Sequence, residues 1–344
     1  MDVTFLIGNG FDLNLGLETK YEHFYPHYTN ETEFPSNSPE IFLFKKLLQR
    51  GGNYSRWADF ELALGEYTPF PPLDRVDTLR TCLEDFMRCF AVYLKGQQNR
   101  IDFEKCGLFM AYKFANSLTA HIEFLESRHA AAVRAGLPPS HITTYHILNF
   151  NYTTILDTLS ALIKREFTGT TNSLGQIIHV HGTVDSGMIL GVDNMGQVKN
   201  SGLLTTPRQR RLLLKPLLNQ QSGGGHDQEA LSCMESSDEV CVFGMSLGET
   251  DTFWWEHIGK WLSASSSHQL LIFSRGGGLG PLFPSRILDL QEDIQELFFV
   301  RAGIPAGARV PLKSRVHVGI TSGLFNLEPV MKAPSGGEPV PAPV

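Results

Sequence analysis

Runs of consecutive apolar residues alternate along this chain with stretches whose apolar positions recur every three or four residues. The first run, residues 3–7, is almost entirely apolar and β-prone, which is typical of a strand buried on both faces. The alternation predicts a mostly parallel, doubly wound, Rossmann-like α/β sheet. Further strands are expected at 143–149, 177–182, 188–191, 239–244, 269–274 and 316–320, and helices at 155–167, 205–219, 287–299 and around Trp254 and Trp255.

A long stretch between the first two strands has only helical periodicity. From about 73 to 135, apolar residues such as Leu79, Leu83 and Phe86 are three or four positions apart. We expect two or three long helices here, forming a helical insertion in a single α/β domain that spans 1–328. A short helical segment is also expected at 57–62, and a glycine-rich loop at 220–228. The proline- and glycine-rich residues 329–344 are predicted to be disordered.

Composition narrows the classes of function. The 344 residues, 42% of them hydrophobic, can form a large core, and the net charge of −7 argues against a sequence-independent nucleic-acid binder. The five cysteines are widely spaced with no C-x-x-C pair, so neither a metal site nor a redox dithiol is expected. No signal peptide and no apolar run of membrane-spanning length is found. These features favour a cytoplasmic protein that does not bind membranes.

A glycine loop directly follows the first strand. Gly8-Asn9-Gly10 suits a tight turn with positive φ whose amides approach a ligand, and Asp12 is a candidate N-cap for the helix that follows. A strand, a glycine loop and a helix N-terminus in this order are typical of phosphate binding. The dinucleotide pattern G-x-G-x-x-G is incomplete because Gly16 comes too late. A turn without any ligand is therefore the alternative interpretation.

Three later strands also end in polar or glycine residues. Asn149-Phe150-Asn151-Tyr152 follows one strand, His181-Gly182 the next, and Gly244-Met245-Ser246-Leu247 another. Ligands of open α/β sheets bind beyond the carboxyl ends of the strands. The recurrence predicts a shared pocket at that edge. Each residue also has a structural interpretation, because asparagines cap turns and histidine is common at strand ends.

These motifs closely resemble those of AbiH, a family of bacteriophage abortive-infection proteins. The likeness spans roughly residues 3–320 and is weakest in the helical stretch. It is carried by Leu6-Ile7-Gly8-Asn9-Gly10-Phe11-Asp12 with Tyr21 and Phe24, by residues 57–61, by Asn149–Thr153, by His181-Gly182-Thr183, and by Phe243–Glu249 with Asp251.

The order of motifs is also distantly similar to the sirtuin superfamily, whose members bind NAD. The resemblance implies that Asn151 lies by the nicotinamide ribose, that His181 is the catalytic base, and that Gly244–Ser246 corresponds to a Gly-Thr-Ser loop. Thr153 stands where sirtuins have Asp, Asn9 where they have Ala, and the four zinc cysteines are missing. Protein deacetylation is therefore not expected, whereas simple NAD cleavage is.

The resemblances together imply an antiphage effector that binds and hydrolyses NAD, with Asn151 and His181 as catalytic residues and no metal. There are two alternatives: a nucleotide sensor without catalysis, and an adaptor whose helical stretch docks a phage-derived trigger or partner protein. Self-association is left open. Asp59 and Glu61 are interpreted as a helix face with ion pairs rather than as catalysts. The residues expected to contact NAD are Gly8, Asn9, Gly10, Phe11, Asp12, Tyr21, Gly244, Ser246 and Asp251.

Overall fold

A six-stranded, all-parallel sheet forms the centre of the protein. The computed structural model describes residues 1–50, 60–137, 142–163, 172–221, 226–275, 284–320 and 323–332. The strands, in chain order, are β1 (Asp2–Ile7), β2 (Thr143–Asn149), β3 (Asn172–His179), β4 (Glu239–Phe243), β5 (Gln269–Ser274) and β6 (Val316–Ile320).

The strand order is β3-β2-β1-β4-β5-β6. The chain therefore winds outward from β1 in one direction, then returns and winds outward from β4 in the other. Ile7 at the end of β1 is in register with Asn149 of β2 on one side and with Phe243 of β4 on the other. This is the doubly wound Rossmann-like arrangement, with its topological switch point between β1 and β4. The predicted fold class is confirmed.

Alternate residues of the central strand enter cores on opposite faces of the sheet. Phe5 and Ile7 point into one core, whereas Leu6 points into the other. All three side chains are fully buried, which explains why β1 is a continuous apolar run. Helices cover both faces, as the doubly wound fold requires.

Seven α-helices connect β1 to β2 among the described residues, and seven follow β2. The first group is α1 (Gly10–Asn14), α2 (Tyr21–Tyr28), α3 (Pro39–Arg50), α4 (Phe60–Tyr67), α5 (Val76–Gln98), α6 (Phe103–Thr119) and α7 (Ser127–Gly136). The second group is α8 (Ile155–Ile163), α9 (Pro207–Arg210), α10 (Lys215–Gln221), α11 (His226–Glu235), α12 (Thr252–Ala264), α13 (Pro284–Arg301) and α14 (Ala306–Lys313). None of these helices combines the length and apolarity needed to cross a membrane.

The predicted helical insertion is present as α5, α6 and α7, but its helices belong to different cores. Helix α6 packs against α8 on one face of the sheet. Helix α5 instead packs with α2, α3 and α4 in a separate, aromatic-rich cluster. Phe86 and Phe60 stack at its centre with ring centroids 4.3 Å apart.

Several local predictions are wrong. Residues 188–190 form no strand, and the helix expected over 205–219 is broken into α9 and α10. The loop expected at 220–228 is shorter, since α10 continues to Gln221 and α11 begins at His226. Residues 57–59, 164–167 and 222–225 of the predicted segments lie outside the described residues.

The start of the predicted disordered tail is ordered. Met331 forms an isolated antiparallel bridge with Ile101, and the Asp102 amide donates a 2.8 Å hydrogen bond to the Val330 carbonyl. The Lys332 amide donates in the same way to the carbonyl of Arg100. Backbone pairing of this kind is invisible to a composition argument, which is why the prediction failed here. Residues 333–344 lie outside the described residues.

Candidate active site at the switch point

A cavity of about 830 Å³ opens at the carboxyl edge of the sheet, beside the switch point. It is lined by the residues that follow β1 to β5, and by side chains from the aromatic helical cluster. Its volume is in the range of small-molecule and cofactor sites. Ten of the eleven residues singled out in the sequence line this cavity: Gly8, Asn9, Gly10, Asp12, Tyr21, Asn151, His181, Gly244, Ser246 and Asp251.

Phe11 is the exception. Its side chain is fully buried in the core, against the rings of Phe114 and Phe325, with centroid distances of 6.1 and 5.6 Å. It does not line the cavity. The glycine-loop motif therefore combines one core residue with residues that line the cavity. The apolar character of the ring was the sequence signal for this placement.

The glycine loop differs from its prediction in two ways. Gly8 and Gly10 do not have positive φ, whereas Gly244 does, at 70°. The amides of Gly8, Gly10 and Phe11 are not free for a phosphate, because they donate to the carbonyls of Phe243, Gly244 and Gly8 at 2.7–2.9 Å. The two loops instead pack against each other, and a Cβ on Gly10 would lie 2.3 Å from the Gly244 Cα. Close backbone approach explains these glycines.

Asp12 is not an N-cap, since α1 begins at Gly10 and Asn9 occupies the cap position. The Asp12 carboxyl is buried at the cavity wall, with the Thr153 hydroxyl 3.1 and 2.9 Å from its two oxygens. Burial raises the pKa of Asp12 to about 7, although the hydrogen bond from Thr153 opposes the shift. The cavity therefore contains a carboxyl group that exchanges a proton near neutral pH.

His181 and Asn151 line the cavity and have buried polar atoms without a hydrogen-bond partner among the described residues. His181 is 7% exposed, and neither of its ring nitrogens has a hydrogen-bond partner among the described residues. The Asn151 side chain donates to the Gly8 carbonyl at 3.2 Å, which leaves its Oδ1 buried without a partner in the same part of the chain. Buried polar atoms are normally paired, so these atoms mark a place for a ligand or water.

The neighbouring histidine provides a useful contrast. His179, at the end of β3, contacts the Asp157 carboxylate at 3.0 Å and the Asn149 side chain at 3.3 Å. It does not line the cavity. Of the two histidines on this segment, only His181 is placed to act on a ligand there.

A buried ion cluster, formed by Lys215, Glu61 and Asp251, stands in the cavity wall next to His181. The Lys215 ammonium is 2.8 Å from the Glu61 carboxylate and 3.4 Å from that of Asp251. Asp251 in turn lies 3.8 Å from Nε2 of His181, beyond hydrogen-bonding distance. The cluster joins α4, α10 and the residue before α12, so it ties the helical cluster to the sheet.

The ion cluster fixes the charges of its members. Burial alone would raise the pKa of Asp251, but Lys215 and His181 outweigh it and lower that pKa to about 2. Burial would lower the pKa of Lys215, but Glu61 and Asp251 raise it well above its ordinary value. Asp251 is therefore ionised and Lys215 protonated at neutral pH.

An aromatic wall, formed by Tyr21, Phe60, Phe90 and Tyr152, lines the cavity beside the ion cluster. The Tyr21 ring lies 5.1 Å from Phe60 and 5.0 Å from Phe90. Its hydroxyl donates to Glu61 at 3.0 Å, and the Tyr152 hydroxyl donates to the carbonyl of Ile189 at 2.9 Å. The hydrogen bonds hold both tyrosines in place with their rings at the cavity.

Sequence reasoning missed part of this site. Lys215 is a single lysine at the start of a short helix, and nothing in its neighbourhood distinguishes it from a surface residue. The expectation that Glu61 forms an ion pair is confirmed, but its partner is buried and at the cavity. Long-range pairs of this kind have no local pattern.

A second group of ligand-type side chains lies at the opposite edge of the sheet. His121, Glu239 and Cys241 are buried, with candidate ligand atoms within 4.8 Å of one another. His121 contacts Glu239 directly through Nε2, and the Cys241 thiol donates to the same carboxylate at 3.2 Å. Burial opposes charge on His121, but Glu239 raises its pKa. The group is a hydrogen-bonded core cluster far from the strand ends that form the cavity.

The motifs that line the cavity also identify the chain. A search of the curated proteins and a search of the solved structures found no match. The family model of AbiH, described as bacteriophage abortive infection AbiH, matches residues 4–273. This stretch includes β2, β3 and β4, most of β1 and β5, and nearly all of the cavity. Since it covers most of the chain, the protein belongs to the AbiH family of bacteriophage abortive infection.

Proposed function

We propose that this abortive-infection protein binds NAD in the switch-point cavity and cleaves the bond between nicotinamide and ribose. His181 carries the proposal, because it is a buried histidine in a ligand-sized cavity with both ring nitrogens unpaired among the described residues. Histidine accepts or donates a proton near neutral pH. The sirtuin-like order of the motifs supplies the choice of NAD.

The loop after β4 is better suited to the diphosphate than the loop after β1. The amides of Met245 and Ser246 make no hydrogen bond within the described ranges, whereas those of Gly8, Gly10 and Phe11 are used internally. Arg275, exposed at the end of β5, lines the same side of the cavity and adds a positive charge. Backbone amides and a guanidinium are suitable partners for phosphate oxygens.

The proposed reaction needs orientation and one proton acceptor. As the glycosidic C–N bond breaks, its electron pair leaves with the nicotinamide nitrogen, and the ribose gains oxocarbenium character. The Asn151 Oδ1 orients the attacking water, whose oxygen bonds to the ribose carbon. His181 accepts the proton that this water loses. The Asp251 carboxylate, 3.8 Å from His181, stabilises the imidazolium that results.

The test is incubation of the purified protein with NAD, with nicotinamide release followed by chromatography. We expect turnover by the unaltered protein and a loss of at least about a hundredfold in His181→Ala, the lower range for removal of a general base. His226→Ala, which alters an exposed histidine at the start of α11, is the matched control and should keep full activity. Undiminished turnover in His181→Ala would refute the assignment of the base.

One observation favours a second candidate function, that of an adaptor. Leu108, Phe109 and Tyr112 on α6 are 74%, 50% and 59% exposed and adjoin one another on the helix surface. Exposed apolar patches often mark docking sites. For an adaptor, Leu108→Asp abolishes phage resistance while any NAD turnover is unchanged. Resistance that survives the substitution would exclude this surface.

A further inference from the structure

The ion cluster and the aromatic wall meet at one end of the cavity, where they create an apolar and negatively charged environment. Two carboxylates, Glu61 and Asp251, face one ammonium, that of Lys215. With His181 neutral, as the proposed role of proton acceptor requires, one negative charge is in excess at this end. The Lys215 ammonium contacts both carboxylates.

Asp193 is a further carboxyl group close to the ion cluster. It is half-buried near the ion cluster, and its Oδ2 accepts a hydrogen bond from the backbone amide of Phe253 at 3.5 Å. Burial raises the pKa of Asp193 to about 7, and the negative charges of Asp251 and Glu61 add to the shift, although Lys215 opposes it. Burial is therefore the main reason why the Asp193 carboxyl group holds its proton more tightly than usual, and Lys215 has the largest of the charge effects on it.

The opposite end of the cavity has a different character. Ser246, Ser274 and Arg275 line it, together with Asn14. The Arg275 guanidinium contacts the Asn14 side chain at 3.4 Å and has no carboxylate partner among the described residues. One end of the cavity is therefore polar with a positive charge, and the other is aromatic with a negative charge.

His181 indicates that the aromatic end receives a ligand. It is more than nine-tenths buried, lies 3.8 Å from Asp251, and has no hydrogen-bond partner on either ring nitrogen within the described part of the chain. Aromatic faces attract cations, and the attraction is largest where water is excluded.

We infer that the aromatic end, formed by Tyr21, Phe60, Phe90, Tyr152 and the ion cluster, selects a cationic heteroaromatic ring. For the proposed function, on which this inference rests, the site takes the oxidised, pyridinium form of a nicotinamide nucleotide and discriminates against the reduced, uncharged form. The preference arises from the excess carboxylate and the ring faces. It requires no cleavage of the ligand.

The test compares two ring compounds that differ in charge, 1-methylnicotinamide, a cation, and nicotinamide, which is neutral. Binding to the full protein is measured by calorimetry or by ligand-observed nuclear magnetic resonance. We expect the cation to bind about tenfold more tightly, the size of a desolvated cation–π contact with charge attraction. Equal affinities, or binding of neither ring at millimolar concentration, would overturn the inference.

Matched variants locate the source of the preference. Glu61→Gln removes the excess charge with little change of shape and should bring the two affinities within about twofold. Asp251→Asn makes the same change on the other carboxylate, should Glu61→Gln not fold. Glu256→Gln, on the exposed side of α12, is the control and should keep the full preference. A preference unchanged in both cavity variants would refute the role of the ion cluster.

Neither ring compound has a glycosidic bond, so the result is separate from the proposed reaction. A cation preference in a protein that leaves NAD intact would remove the reaction and keep the inference. Cleavage of NAD without any preference between the two rings would keep the reaction and remove the inference.

Discussion

Gly10 and Gly244 touch backbone to backbone where the loops after β1 and β4 cross, and the Gly10 amide donates a 2.7 Å hydrogen bond to the Gly244 carbonyl. A Cβ on either glycine would lie within 3 Å of the other's backbone atoms. This contact closes the floor of the cavity at the switch point. The main role of the glycines in the Gly8-Asn9-Gly10 motif is therefore to allow this close packing. A ligand in the cavity would lie above the contact.

Gly10→Ala tests the contact. We expect it to lower the free energy of unfolding by about 1–3 kcal/mol, the usual cost of overpacking, because backbone atoms of Gly244 cannot yield as a side chain can. Urea unfolding is the measurement. Gly96→Ala in α5 is the control, since nothing lies within 4 Å of its Cβ position, and it should stabilise the helix by about 0.5–1 kcal/mol. Equal effects of the two substitutions would contradict a backbone contact at Gly10.

Lys215→Met tests the ion cluster. The substitution leaves the carboxylates of Glu61 and Asp251 buried without their cation, and we expect a loss of about 3–5 kcal/mol in the free energy of unfolding. Lys313→Met removes the exposed partner of Glu296 and should cost less than about 1 kcal/mol. Denaturant unfolding of the three proteins decides the point. A similar, small effect of both substitutions would show that Lys215 is not buried in this pairing.

Asp12 makes stability depend on pH. Its folded-state pKa of about 7 lies above the value of about 3.9 in an unfolded chain, so the unfolded chain loses the proton first as pH rises. The contribution of the Asp12 carboxyl group to the free energy of unfolding is therefore complete below about pH 4 and is lost by about pH 7. Asp12→Asn cannot lose this proton. Between about pH 4 and 8, its free energy of unfolding should therefore rise relative to that of the unaltered protein by a few kcal/mol, as an order of magnitude.

Unfolding at several pH values measures the Asp12 effect, with Asp289→Asn as the control. Asp289 is exposed on α13, and its substitution should leave the pH dependence unchanged. Curves for Asp12→Asn and the unaltered protein that stay parallel from about pH 4 to 8 would contradict the assignment.

Asn151→Ala tests the proposed role in orienting water. Asn151 lines the cavity; its amide nitrogen donates to the Gly8 carbonyl, and its oxygen has no partner among the described residues. If that oxygen orients the nucleophile, kcat for NAD cleavage should fall by about a hundredfold with a smaller change in KM. Initial-rate kinetics distinguish this outcome from weaker NAD binding, in which KM rises and kcat is retained.

Much of the fold was predictable because its signals are local. The strands 143–149, 269–274 and 316–320 were predicted with the bounds that the structure has, since short β-prone segments between turn residues are typical of strands. Residues 188–191 are also apolar and were wrongly assigned to a strand. Leu190 is buried in the aromatic helical cluster rather than in the sheet. The apolar residues of this segment are therefore explained by core packing without strand pairing.

The site was predictable where it follows from topology. Residues at the carboxyl ends of parallel strands lie at the same edge of the sheet, whatever their separation in sequence. For this reason the sequence alone predicted that Asn151, His181 and Ser246 line one pocket. Lys215 was missed because it reaches the cavity from a short helix, and its partner Glu61 is 154 positions away. The amides of Gly8 and Gly10 were expected to face a phosphate, but they donate to Phe243 and Gly244 at the end of the distant β4, a contact that has no local sequence signal.

The most direct test of the proposed reaction identifies which bond of NAD is broken. Purified protein is incubated with NAD in water enriched in oxygen-18, and the products are analysed by mass spectrometry. We predict unlabelled nicotinamide and ADP-ribose that carries one heavy oxygen, with both products formed at least about a hundredfold more slowly by His181→Ala. Intact NAD, or cleavage at the diphosphate to give two mononucleotides, would contradict the proposed reaction.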